Sequence, residues 1–313
     1  MNLAEDIKSK ALETGFDLIG ITDAAPLTAE QCGFFNDWLA FGFAGRMDYM
    51  RRNTRQRLNP GALLEGAQSV ICLGLNYTPP EIPNEPLQQA VPVGRVANYA
   101  RYEDYHLFIK KLMHKLTDFI ASVAGSDFRF KVCVDSAPVA ERVLAARAGL
   151  GFIGRNHMLI SPEFGPQVFL AEIITSLKLQ TDVPIEANCY NCNKCIAACP
   201  TGALRQDGQL DAGKCISYLT IEYKGQIPAD LAEKIGDRLF GCDECVLACP
   251  YNSAGSVCRN KQFKFYPDKA GLDLNEILSL DSRLFEIRFA DTCFKRLGLE
   301  LLKRNAEICL VNR

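Results

Sequence analysis

The chain has 313 residues, 35 Lys and Arg against 37 Asp and Glu, and a formal net charge of -2. A composition 48% hydrophobic and 23% charged can bury a core, which excludes a disordered or collagen-like polymer. The near-neutral balance excludes a global basic field, so any nucleic-acid contact needs a local patch. The opening MNLAEDIKSKALETG lacks the apolar core of a signal peptide. No apolar run approaches the roughly 18–20 residues of a membrane span. A soluble, cytoplasmic protein is expected.

In chain order, residues 3–15 predict an amphipathic helix and FDLIGIT (16–22) a short strand. A basic stretch, RMDYMRRNTRQR, follows at 46–57. SVICLGLNY (69–77), FRFKVCVD (128–135) and VFLAEIITSL (168–177) are β-branched apolar runs suited to buried strands. Between them, TPPEIPNEPLQQAVPVG (78–94) predicts a surface loop. Residues 104–123 predict a helix with Phe108, Leu112, Leu116, Phe119 and Val123 on one face. PVAERVLAARAGLG (138–151) predicts another, opened by Pro138 and closed by glycine. GLGFIG (149–154) has the letters of a dinucleotide fingerprint but follows a helix, where the fingerprint requires a strand. These elements define an α/β domain over residues 1–180. Residues 181–260 form a cysteine-rich segment with two related CxxC…CP runs, and 261–313 return to helical, mixed-charge sequence.

Eight of the 14 cysteines fall between Cys189 and Cys249. In a cytoplasmic chain this density points to metal ligation rather than disulfides. The first run, Cys189-x2-Cys192-x2-Cys195-x3-Cys199-Pro200, lets three thiolates curl around one cubane while the fourth reaches a second. The second run, Cys242-x2-Cys245-x3-Cys249-Pro250, lacks its opening cysteine, whose place Leu239 takes. Cys215 is the remaining cysteine of the segment. One [4Fe–4S] cluster is therefore expected on Cys189, Cys192, Cys195 and Cys249, and the other on Cys199, Cys215, Cys242 and Cys245. Structural zinc or disulfides are the alternatives, and neither explains a CxxCxxCxxxCP run followed by a second CP. The other six cysteines read as buried thiols. Asp104-x-His106 faintly resembles part of a corrinoid motif, while a helix N-cap explains Asp104 equally well.

The segments VDSAPVAERVLAARAGLGFIGRNHMLI (134–160), CYNCNKCIAACPTGAL (189–204), CISYLTIEYKGQIP (215–228) and GCDECVLACPYN (241–252) are similar to those of the epoxyqueuosine reductases. The similarity runs through nearly the whole chain. It implies a cobalamin-dependent enzyme with two [4Fe–4S] clusters, related to the reductive dehalogenases. Such an enzyme removes the epoxide oxygen from epoxyqueuosine at the tRNA wobble position. The implied fold is an α/β cobalamin-binding domain, a two-cluster bacterial-ferredoxin-like domain and a short helical C-terminus.

Asp135 matches the family's proton donor. To act as an acid its pKa is expected to be raised, by burial against the corrin and by the lack of a paired cation. Asp135 or Ser136 would also serve simply as the cap of the 138–150 helix. For cobalamin the resemblance implies Arg57, Asn98, Asp135, Asn156, Met158, Ser217 and Asp243, although Arg57 belongs equally to a solvated charge run or a tRNA-phosphate contact. For tRNA it implies Tyr223 and Lys224, an aromatic to stack and a cation to hold phosphate. The expected partners are tRNA carrying epoxyqueuosine and an electron donor the sequence does not identify, for a monomer with no membrane attachment. Two other readings are a corrinoid reductase of a small molecule, dehalogenase-like, and a ferredoxin-like electron carrier.

Overall fold

The β-branched runs place nine strands among the described residues: β1 (Leu18–Asp23), β2 (Ser69–Asn76), β3 (Val93–Val96), β4 (Phe130–Cys133), β5 (Phe152–Ile153), β6 (Leu159–Ile160), β7 (Val168–Thr175), β8 (Arg238–Phe240) and β9 (Gly271–Asp273). The computed structural model describes residues 2–80, 91–125, 127–253 and 255–313. β2 carries no charge and is buried along its whole length. It sits beside β7 in a four-stranded sheet ordered β1-β2-β7-β4. Ser69 lies opposite Thr175 and Asn76 opposite Val168, and every neighbouring pair in this sheet is antiparallel.

Side chains alternate across a strand, so the sheet has two working faces. Ile71, Leu73, Leu75, Ala171 and Ile173 join a core with the helices Leu3–Thr14 and Tyr105–Ala124. Val70, Cys72, Cys133 and Ile174 join a second, beneath Leu144 and Ala145 of the helix Glu141–Arg147. Each large apolar side chain buried this way contributes about 1.5–3 kcal/mol. Asn2 caps the first helix by accepting from the Ala4 amide, and Asp104 caps the long one by accepting from the His106 amide. The long helix buries Phe108, Leu112 and Leu116 as its periodicity predicts, whereas Val123 in the last turn is exposed.

A second sheet draws on distant parts of the chain. β3 runs parallel to β8 and antiparallel to β9. Val96, Leu239, Phe240 and Leu272 pack there with Ile277, Phe285 and Leu302 of the C-terminal helices. Buried Asn305, on the helix Leu299–Val311, donates to the carbonyls of Thr220 at 2.8 Å and Leu239 at 3.1 Å. Among the described residues no helix is long and apolar enough to cross a membrane.

Three local expectations change. The predicted 138–151 helix is shorter, Glu141–Arg147, because residues 137–139 form a tight turn in which the Val139 amide donates to the Ala137 carbonyl at 2.8 Å. Pro138 thus precedes the helix instead of opening it. The chain then leaves this helix through Gly149, at φ +79°, and enters the hairpin β5–β6. Of the predicted 78–94 loop, residues 81–90 lie outside the described residues and 93–94 already belong to β3.

Candidate active site

The cysteine runs build two matching local units. Cys189 to Cys195 curls through Tyr190, at φ +49°, into the short helix Lys194–Ala198, which ends at Cys199-Pro200. β8 turns through Cys242 into the helix Glu244–Leu247, followed by Ala248 and Cys249-Pro250. The two short helices pack against each other. All fourteen cysteines are free thiols.

The eight thiols divide into two sets of four. Cys189, Cys192, Cys195 and Cys249 line a cavity of about 410 Å³ with Ile160 and Tyr251. Cys199, Cys215, Cys242 and Cys245 line a separate cleft of about 470 Å³. Burial pushes the Cys242 thiol up to about 11, and the neighbouring Cys215 adds to the rise. Cys245 is raised by burial and then by the charges of Cys215, Cys242 and Cys199. Thiols that penalise one another's ionisation need a polycation among them before they become thiolates. Among the described residues, no group of three or more His, Cys, Asp or Glu side chains converges on a single-ion site. Four thiols on each cavity is the donor number of a [4Fe–4S] cluster.

Asp135 lines the same cleft as the second set. It leaves β4 at the strand's carboxyl end with φ +52°, a conformation that costs a residue with a Cβ about 1–3 kcal/mol. Its Oδ2 accepts from the Tyr105 hydroxyl at 3.0 Å and pairs with His106 Nε2 at 3.0 Å, with Arg296 Nη1 at 3.5 Å. His106 Nδ1 contacts Asp104 Oδ1 at 2.7 Å. The capping aspartate thus also orients the imidazole, as the N-cap reading of Asp104 expects and with the ring held between two carboxylates. Burial disfavours the imidazolium, but the two carboxylates outweigh it and push His106 up to about 9.

This overturns one expectation. Asp135 does not lack a cation: burial would raise its pKa, yet His106, Tyr105 and Arg296 together hold it below the usual carboxylate value. Its side chain is 43% accessible through the cleft, so water screens these pairs. Nor does Asp135 cap the following helix, whose N-cap is Ala140 with no side-chain bond. The Asp135 amide instead donates to Glu141 Oε1 at 2.7 Å.

Of the other expected site residues, Asn156, Met158, Ser217 and Asp243 line the cleft. Asn98 is buried behind the wall, donating from its amide to Asp243 Oδ2 at 2.6 Å and from its side chain to Gln167 at 2.8 Å. Arg57 sits outside the lining, its Nη1 donating to the Val139 carbonyl at 3.3 Å and its buried Nε unpartnered. Tyr223 lies beside Tyr218 under the Arg46 guanidinium, 5.3 Å from its ring centre, and Lys224 is exposed. Tyr105, His106, Glu141 and Arg296 are site residues that the sequence reading did not assign. Cys293, read as a buried thiol, also lines the cleft.

Two family models match. "4Fe-4S double cluster binding domain" covers residues 188–252, and "Epoxyqueuosine reductase QueG, DUF1730" covers 57–136. Thiol sets of this kind beside an acid-bearing cleft define an iron–sulfur oxidoreductase. The epoxyqueuosine reductase of Leadbetterella byssophila is 39% identical, with 96% of each chain covered. That of Vibrio cholerae is 34% identical over 99% of this chain and 83% of its own. A crystal structure of epoxyqueuosine reductase with an epoxyqueuosine-modified tRNA-Tyr stem loop superposes with a TM-score of 0.92, at 33% identity, covering 99% of this chain and 81% of that one. The Bacillus subtilis enzyme, solved with its catalytic aspartate loop swung out of the active site, gives a TM-score of 0.91 at 33% identity over the same shares. This chain belongs to the epoxyqueuosine reductase family.

Proposed function

We propose that this protein reduces epoxyqueuosine to queuosine in tRNA. The observation that carries the reading is the single cleft in which Cys199, Cys215, Cys242 and Cys245 face Asp135 and His106. The reaction takes two electrons and two protons, breaks both carbon–oxygen bonds of the epoxide, forms the ring alkene and releases one water. Residues 181–260 would hold both clusters on the two thiol sets, residues 1–180 the acid and most of the substrate wall, and 261–313 the Arg296 side.

The cleft also fits a corrin. Its lining also includes the apolar side chains of Met158, Phe169, Leu170 and Ile221, with Asn156 and Ser217 as amide and hydroxyl partners. A flat macrocycle with an amide-bearing rim matches that mixture. Asn156, Met158, Ser217 and Asp243 would hold it, Asn98 would fix Asp243, and Arg57 would act from outside the lining. Cobalamin, when bound, supplies a strongly reducing cobalt centre next to the substrate. The chain's own residues manage the protons. His106, charged near neutral pH, holds a proton on Nε2 against Asp135 Oδ2, and Asp104 fixes the ring. Asp135 passes that proton to the departing oxygen, and Arg296 and Tyr105 keep the carboxylate aimed. Tyr223 and Lys224 would contact the tRNA, with Arg46 adding charge above the Tyr223 ring.

The test is anaerobic turnover of epoxyqueuosine-containing tRNA by reconstituted protein with cobalamin and a strong reductant, with nucleosides quantified by mass spectrometry. Conversion is expected to depend on cobalamin and to fall on the order of 10²–10⁴-fold in Asp135→Asn. No conversion by protein shown to carry clusters and corrin would overturn the reading.

A further inference from the structure

Asp135 is the middle residue of a very tight turn, in which the Ser136 amide donates to the Val134 carbonyl at 2.5 Å. An i to i+2 turn with positive φ at a residue bearing a Cβ is strained, and persists only where its surroundings hold it. Tyr105, His106 and Arg296 grip the carboxylate, not the backbone. The backbone is gripped from the other side, where the Asp135 amide donates to Glu141 Oε1 at 2.7 Å. Glu141 opens a helix whose Leu144 and Ala145 are fully buried against the sheet, so its carboxylate is mounted on a rigid element.

We infer that Glu141 is a positioning residue: its carboxylate latches the strained Asp135 turn so that the acid faces the cleft. The inference rests on the reading of Asp135 as proton donor. Glu141 does its work through the amide of Asp135, without touching the departing oxygen. The swung-out aspartate loop of the Bacillus subtilis relative is a second position of that loop in that protein. A glutamate in the first turn of a helix also favours the helix dipole, and that purely structural role predicts different variants.

The discriminating pair is Glu141→Gln, which keeps an acceptor at the same place, and Glu141→Leu, which removes it. In cofactor-free protein, hydrogen exchange at the Asp135 and Ser136 amides is expected on the order of tenfold faster in Glu141→Leu and unchanged in Glu141→Gln. In the loaded enzyme, kcat of Glu141→Leu is expected to fall about 10²-fold, as for a misplaced catalytic group, with KM for the tRNA stem loop and cluster absorption unchanged. Glu141→Gln should restore kcat to within about threefold of the parent, a gap of under 1 kcal/mol in barrier. Should Glu141→Leu fail to fold, Glu141→Ala gives the same exchange readout. Parent-like exchange and kcat in the latchless variant would overturn the latch. So would a Gln variant as impaired as the Leu one, since that points to charge. Full turnover by Asp135→Asn would instead overturn the proton-donor reading, while exchange would still decide whether the latch exists.

Discussion

The two thiol-lined cavities are made by the same local unit and keep different company. Around Cys189, Cys192, Cys195 and Cys249 the lining is amide, aromatic, proline and Ile160, with Arg155 as its one charged side chain. Around Cys199, Cys215, Cys242 and Cys245 stand Asp135, His106, Glu141, Glu222, Asp243 and Arg296. Storing an electron asks for sulfur ligands and little else. Breaking a carbon–oxygen bond asks for protons at the same place and time. On the proposed function, the first cavity would handle electrons alone and the cleft would be where electrons and protons meet.

Removing Cys215 gives the sharpest test of that division. Cys215→Ala should lose about four of about eight irons and all turnover, with the remaining cluster signal intact by electron paramagnetic resonance. Retention of all the iron would break the assignment of four thiols to each cavity. His106→Gln should act on protons only, with kcat down on the order of 10²-fold and both cluster spectra unchanged. The parent's rate should fall as pH rises past about 9, where His106 loses its proton, and the variant should lack that limb. The sign for stability is the same. The folded pKa lies above the ordinary 6.5, so the ion pairs stabilise fully below about pH 6.5 and are lost as pH rises through about 9. Unfolding free energies from urea titrations at the two ends should differ by about 1–2 kcal/mol in the parent, after allowance for screening, and less in the variant.

The smallest effect lies behind the cleft wall. Glu172, on the β7 face beneath Glu141, is 0% exposed, and among the described residues neither of its oxygens has a hydrogen-bond partner. Burial, and then the charge of Glu141, raises its pKa well above the ordinary value. A raised acid costs stability increasingly as pH rises above its unfolded pKa, near 4.3. Glu172→Leu should therefore gain about 1–3 kcal/mol at pH 7, the gain shrinking as pH falls from 7 towards about 4. Thermal midpoints at the two pH values check it, and a loss of stability at pH 7 would show that this acid has a partner in solution.

The difference between the cavities also governs what the sequence discloses. Both thiol sets are written in spacings of two and three residues, except Cys215, which stands apart from both runs. Strands β2 and β7 are equally plain, since both are almost wholly buried and read as mostly apolar runs, β7 interrupted by Glu172. The proton side is assembled across long separations: Arg296 reaches Asp135 over 161 residues. No local pattern encodes that contact. Asp104-x-His106 did carry a signal, for a cap that points its neighbour's imidazole into the cleft, but its partner lies 29 residues further on. The expected elevation of the Asp135 pKa failed for this reason, because its cations come from elements that sequence proximity does not reveal.

β3 is complete by Val96, yet its pairing partners are synthesised far later, at 238–240 and 271–273. Cys242 and Cys245 follow β8 directly, and Asn305 of the last helix fastens the Leu239 carbonyl. On the ribosome, every thiol of the cleft therefore emerges before the scaffold that aims it exists. The thiols of that set are thus aimed only once strands β8 and β9 and the helix Leu299–Val311 have joined β3.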